Sequence, residues 1–252
     1  ARSVAEHRMR AAPRPPARKI CRAPGWLSES GCETPAHEVR KQFIVLPRRW
    51  ERHLWLSDDS MVSILIVGCG YTGSRVARRL LLRGLPVAAP SRKPNGLEDL
   101  ERLGAKVTGM DFCKPGSFER VRDLAAEDCR VLISVPTIQT ARELFDPTPR
   151  IVEALGGRPS RVVYLSTTSV YGPVAVVDEH TAAMPVTRRQ RLRLEAERSV
   201  IAREWSHLIL RPAAIYGPGR GAHQAMIEGT CNLTGDGSNL VSRIHVEDLA
   251  AL

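Results

Sequence analysis

Three glycines in Gly68-Cys69-Gly70-Tyr71-Thr72-Gly73 follow the aliphatic run Ser63-Ile64-Leu65-Ile66-Val67. They open a segment in which Val76, Leu80 and Leu81 recur at helical spacing, with Gly84 as its C-cap. The order is strand, tight turn, helix. In such a turn the first glycine permits the reversal and the second lets backbone approach a ligand with no Cβ in the way. The third lets the helix lie close against the strand. A helix that starts there offers unpaired N–H groups and the positive end of its dipole, which suits a diphosphate. Gly68, Gly70 and Gly73, with Tyr71 and Thr72 between them, are therefore assigned to binding a dinucleotide.

About 20 residues beyond such a turn, at the end of the second strand, a carboxylate usually holds the adenosine ribose 2′-OH. Here the chain reads Ser91-Arg92-Lys93. No carboxylate is available, and a guanidinium can pair bidentately with a 2′-phosphate. NADP(H) is expected, with NAD(H) as the other candidate. Asp111, closing the third strand, suits the adenine edge and equally suits capping the next turn. Ser134, closing the fourth strand, joins the cofactor set because ligands of such sheets bind beyond the carboxyl ends of the strands.

Those residues need a scaffold. After the first strand and helix come a strand at 85–90, a helix marked by Leu97, Leu100 and Leu103 and stopped by Gly104, and a strand at 105–110. Pro115 to Leu124 reads as a helix, 131–134 as a strand, 151–155 as a helix and 161–166 as a strand. Thr187 to Trp205 is a long charged helix, and 207–211 is another strand. The alternation predicts an α/β fold of Rossmann type, a doubly wound parallel sheet with helices on both faces.

Residues 1–60 have another character. Ala11 to Arg18 is rich in Arg, Pro and Ala, and no periodicity is sustained. The segment carries 12 Lys/Arg against 7 Asp/Glu, half of the chain's net charge of +10. We expect a disordered leader or a non-native extension, with Met61 as the biological start and the dinucleotide domain spanning 61–252. No basic run interleaved with aromatics occurs in 61–252, and no apolar run approaches the length of a membrane span, so neither nucleic acid nor membrane is an expected partner. The six cysteines show no metal-ligand spacing, so free thiols in a reducing, cytoplasmic setting are expected, with no metal. Cys69 reads as packing beside the cofactor, with sensitivity to oxidation as the other reading.

Tyr164-Leu165-Ser166-Thr167-Thr168-Ser169-Val170-Tyr171-Gly172, with Asp178-Glu179 and Pro185, resembles the strand end of the extended short-chain dehydrogenase/reductases, the NAD-dependent epimerase/dehydratase family. Leu210-Arg211-Pro212-Ala213-Ala214-Ile215-Tyr216-Gly217-Pro218-Gly219 is similar to that family's loop beside the nicotinamide. Arg243-Ile244-His245-Val246-Glu247-Asp248-Leu249-Ala250 resembles its motif near the substrate cleft. The resemblance spans about residues 61–252. It implies that Arg211, Pro212 and Ala214 contact cofactor, that Tyr216 and His245 face substrate, and that Thr167 fills the Ser/Thr place of the active site.

Where the family's Tyr-x-x-x-Lys would stand, the chain reads Arg189 and Arg193 if Glu197 marks the register. Arginine stays protonated near neutral pH and makes a poor base. This departure resembles the atypical members called YeeZ-like. Two readings stand. In one, Arg193 holds the ribose or a phosphate and Tyr171 or Tyr216 supplies a proton; in the other, hydride chemistry is lost and binding retained. Tyr171 also reads as a packed aromatic, His245 as the brace of a turn ahead of an Asp248 N-cap, and the arginines of 188–193 as a solvated face or an anion clamp. The resemblance implies a small hydroxy or carbonyl substrate, nucleotide-sugars included, and admits a homodimer. Its members continue past Leu252, so the substrate lobe is expected to be incomplete here.

Overall fold

The computed structural model describes residues 63–231 and 241–252. The leader expected over 1–60, Met61, Cys21 and Cys32 lie outside the described residues.

The chain runs β1 (Ile64–Val67), α1 (Gly73–Leu81), β2 (Val87–Ser91), α2 (Glu98–Arg102), β3 (Lys106–Gly109), α3 (Ser117–Leu124) and β4 (Arg130–Ile133). A short hairpin, β5 (Ile138–Gln139) and β6 (Leu144–Phe145), leads into α4 (Thr148–Leu155) and β7 (Arg161–Leu165). Then come α5 (Arg188–Ile201), β8 (Ser206–Leu210), β9 (Ala214–Tyr216), α6 (Ala222–Ile227), β10 (Arg243–His245) and α7 (Val246–Leu249). Six strands form one sheet in the order β3-β2-β1-β4-β7-β8, every pairing parallel. β9 and β10 pair in parallel as a separate ribbon, Ala214 opposite Arg243 and Tyr216 opposite His245.

The unbroken apolar run of β1 follows from burial on both faces of the sheet. Leu65 and Val67 enter a core with Val121, Ile151, Leu155 and Trp205. Ile64 and Ile66 point the other way, against Ala77, Val87 and Leu100. β8 divides its side chains likewise. Ile209 joins the first core, while Leu208 and Leu210 meet Ile244 and Leu249 of β10 and α7.

α5 begins at a capping box: the Gln190 N–H donates to Thr187 Oγ1 at 3.2 Å, and the Thr187 N–H donates to Gln190 Oε1 at 2.8 Å. Its buried stripe is Arg193, Ala196, Glu197 and Val200, so two of its four inward positions are charged. The helix stops at Ile201 rather than Trp205, whose indole N–H donates to the Val200 carbonyl from a buried position. The hairpin, the β9/β10 ribbon and α6 and α7 are too short to show periodicity in sequence.

Gly73 carries the tightest helix–strand approach at the site. A Cβ there would stand 2.8 Å from the Gly68 carbonyl oxygen and 3.1 Å from Ile66 Cγ2. Gly73→Ala is expected to destabilise the fold by about 1–3 kcal/mol, the usual cost of overpacking, read as a lower midpoint in urea denaturation.

Candidate functional site

Strand order reverses between β1 and β4, and a cleft of about 800 Å³ opens there beyond the carboxyl ends of the strands. Its base is the glycine turn. Gly68 has φ +91°, and a Cβ on it would meet Val135 Cγ2 at 2.9 Å and the Ser134 backbone at 3.0 Å. Only glycine combines that backbone with that crowding. Gly70 differs: a Cβ there meets nothing nearer than the Gly68 oxygen at 4.0 Å, so its bare α-carbon faces the open cleft. Thr72 holds the N-cap position of α1 without a side-chain cap bond; the Ser74 N–H already donates to the Gly70 carbonyl at 2.9 Å and the Arg75 N–H to the Thr72 carbonyl at 3.0 Å, so the amides left for a ligand are those of Tyr71, Thr72 and Gly73. A diphosphate fits this cradle of unsatisfied N–H groups. Cys69 packs behind the turn against the second core, and burial pushes its thiol up to about 12, which holds it as an unreactive thiol at neutral pH.

On the β2 side, Ser91, Arg92, Lys93, Asp111 and Phe112 line the cleft. Ser91 is buried and its Oγ accepts the Lys93 N–H at 3.3 Å, while the Arg92 side chain is exposed. Asp111 Oδ1 accepts the Cys113 N–H at 3.0 Å, so it caps the turn and also reaches the cleft.

The opposite wall is built from β7, β8 and α5. Ser134, Thr167, Pro212 and Ala214 line it. Thr167 Oγ1 accepts the Ser169 N–H at 3.2 Å, an arrangement that leaves its hydroxyl hydrogen for another acceptor. Arg189 and Arg193, one turn apart on α5, both reach the cleft. Arg193 is buried and fixed: it donates to the Val135 carbonyl at 2.9 Å, to Asp146 Oδ2 at 3.0 Å and to the Leu165 carbonyl at 2.5 Å. It thereby joins the ends of β4 and β7. Asp146 Oδ1 in turn accepts the Thr148 N–H at the start of α4.

A second buried pair lies one turn further along α5. Glu197 receives Arg211 bidentately at 3.0 and 2.6 Å and also accepts the Ser166 hydroxyl. Burial alone would favour a neutral Arg211, but the carboxylate outweighs it and raises the guanidinium pKa above its ordinary value. Ser166 and Arg211 immediately precede Thr167 and Pro212, so this pair fixes both segments that face the cleft.

Several expected site residues are elsewhere. Arg211 turns inward to Glu197 and does not line the cleft. Tyr171 is 1% exposed, packs against Val170, Val177 and Ala183, and lies under the Arg211 guanidinium at 4.8 Å. Tyr216 stacks edge-on against His245 at 5.1 Å, outside the cleft lining. His245 Nδ1 accepts the Glu247 N–H at 3.3 Å and is itself the N-cap of α7. Asp248 is therefore a residue within that helix and not its cap. Asp146, Glu197 and Arg220 were not singled out as site residues from sequence. The Asp146-Pro147-Thr148 order does carry a helix-start signal, but its pairing with Arg193 has no local trace.

The model of the NAD-dependent epimerase/dehydratase family matches residues 64–252. The chain belongs to this family. Among solved structures, a conserved protein of unknown function from Silicibacter pomeroyi DSS is 31% identical, with a TM-score of 0.59 over 75% of this chain and 66% of that one. MoeE5 in complex with UDP-glucose and NAD is 25% identical, with a TM-score of 0.61 over 75% of this chain and 69% of that one. UDP-glucuronic acid 4-epimerase from Bacillus cereus, in complex with NAD, shares the fold at 19% identity and a TM-score of 0.62, over 75% of this chain and 71% of that one. The chain thus spans about two thirds of these proteins' length. No curated protein matches the sequence.

Glu197→Gln leaves Arg211 buried and uncompensated. We expect a loss of about 3–5 kcal/mol of stability by urea denaturation, the range for breaking one side of a buried pair.

Proposed function

We propose that the protein is an NADP(H)-dependent oxidoreductase or epimerase of the atypical short-chain type, acting on a small hydroxy or carbonyl substrate, nucleotide-sugars included. The observation that carries this reading is the cradle formed by Gly68, Gly70 and the start of α1, with Arg92 and Lys93 and no carboxylate at the end of β2. Gly70 and the amides of Tyr71 to Gly73 would hold the diphosphate, and Arg92 the 2′-phosphate. A bound dinucleotide supplies a hydride donor or acceptor at its nicotinamide ring. Thr167 would donate its hydroxyl hydrogen to a substrate oxygen and orient the reacting carbon. Pro212 and Ala214 would close the wall beside it and exclude water. The UDP-glucose and NAD held by MoeE5 support a nucleotide-sugar among the substrates.

A second reading has its own observation. Tyr171, Tyr216 and His245 are outside the cleft lining and Arg193 is bound by protein acceptors, which favours a dinucleotide-binding protein without turnover. Titration with NADPH followed by its oxidation against sugar-nucleotides and aldehydes separates the two. The leading reading expects turnover, and tight binding without it leaves the second.

Arg92→Ala is expected to reduce the preference for NADPH over NADH by about tenfold or more, the worth of one charge-assisted bidentate contact. An unchanged ratio of the two dissociation constants removes the NADP(H) assignment.

A further inference from the structure

Tyr71, inside the glycine turn, is where a remote part of the chain comes to rest. Its hydroxyl donates to the Pro218 carbonyl at 3.1 Å. Two guanidiniums lie against its ring, Arg75 at 4.2 Å and Arg220 at 5.1 Å from the ring centre. They are not equivalent. Arg75 donates to Glu247 Oε1 at 3.0 Å and to the Tyr71 carbonyl at 2.6 Å, and it is not part of the cleft lining. Arg220 does line the cleft, is exposed, and has no ion-pair partner among the described residues. Its backbone is fixed: the Gly217 N–H donates to the Arg220 carbonyl at 2.9 Å and the Arg220 N–H to the Gly217 carbonyl at 3.0 Å. A Cβ on Gly217, at φ +151°, would stand 2.8 Å from the Tyr71 hydroxyl and 2.8 Å from Val246 Cγ1, so the loop between β9 and α6 is seated directly on the glycine turn.

A dinucleotide's diphosphate carries two negative charges. The amides of Tyr71, Thr72 and Gly73 are neutral donors, and the start of a helix adds only about half a positive charge. A full charge is needed at the same place, and Arg220 is the cation that the fold brings there from elsewhere in the chain, carried on the ring of Tyr71 itself. We propose that Arg220 is a diphosphate-binding residue, held at the glycine turn by Tyr71, so that the β9–α6 loop closes the cofactor site. The proposal rests on the dinucleotide reading above. A guanidinium in this position can donate to two phosphate oxygens at once, which a lysine cannot. The loop follows directly on β9, and β9 begins at Ala214 in the cleft wall, so a filled diphosphate site also steadies that wall.

Calorimetry on the full chain with three ligands tests this. They are NADPH; ADP-ribose, which keeps the diphosphate but lacks the nicotinamide and the 2′-phosphate; and adenosine 2′-monophosphate, which lacks the diphosphate. Arg220→Gln is expected to weaken NADPH and ADP-ribose alike by about tenfold, the scale of a charge-assisted contact, and to leave adenosine 2′-monophosphate unchanged. Tyr71→Leu, which removes the ring, is expected to cost about as much, and the double variant little more than either, because the ring acts through the arginine. Arg122→Gln, which removes the same charge outside the cleft lining, leaves all three affinities unchanged. If Tyr71→Leu does not fold, the exposed Arg220→Gln variant decides. No loss in Arg220→Gln, a loss for NADPH without one for ADP-ribose, an equal loss for adenosine 2′-monophosphate or in Arg122→Gln, or additive losses in the double variant overturn the proposal while the dinucleotide reading stands. An unaltered chain that binds neither NADPH nor ADP-ribose overturns both.

Discussion

Where β1 passes into α1, the chain comes back against itself closely enough that three positions have no room or no use for a side chain. Gly68 takes a left-handed backbone against Ser134 and Val135, and Gly73 sets the helix on Ile66 and the Gly68 carbonyl. These contacts aim the start of α1 at the gap between β1 and β4, where Gly70 leaves a bare α-carbon toward the cleft. Sheet order, helix direction and cleft position all converge on this crossing. The same backbone both closes the packing and creates a place where orphan amides face outward.

The far wall depends on a different kind of interaction. α5 buries two charges where an ordinary amphipathic helix would bury apolar side chains, and each is matched by an opposite charge from elsewhere in the chain. Arg193 with Asp146 ties β4, β7 and α4 together; Glu197 with Arg211 and Ser166 ties the segments bearing Thr167 and Pro212. Such pairs contribute little net stability over an apolar core, but breaking one side is costly, so they fix geometry. A cleft that must hold a long, flexible ligand gains from walls held this way.

Much of this was legible in the sequence. The β1 run, the glycine triplet and the alternation through β8 are local signals, and the parallel α/β sheet they imply is the one observed. What escaped was of two kinds. Elements of two to four residues, such as β5, β6 and β9, have no period to read. Orientation was the other gap: Arg211 and Tyr171 sit in motifs that suggest a cleft, yet whether a side chain turns in or out is decided by partners such as Glu197, 14 residues from Arg211. The arginines of 188–193 read as a solvated face or an anion clamp, whereas Arg193 belongs to a buried stripe that also contains a glutamate.

The central claim is that the backbone amides at the start of α1 receive the diphosphate of a dinucleotide. Hydrogen exchange of individual amides, followed by NMR with and without NADPH, examines it at the atoms concerned. The account predicts that exchange at Tyr71, Thr72 and Gly73 slows by about tenfold or more on binding, while the Cys113–Ser117 turn changes little. Unchanged exchange at those three amides, with protection appearing elsewhere, would contradict it.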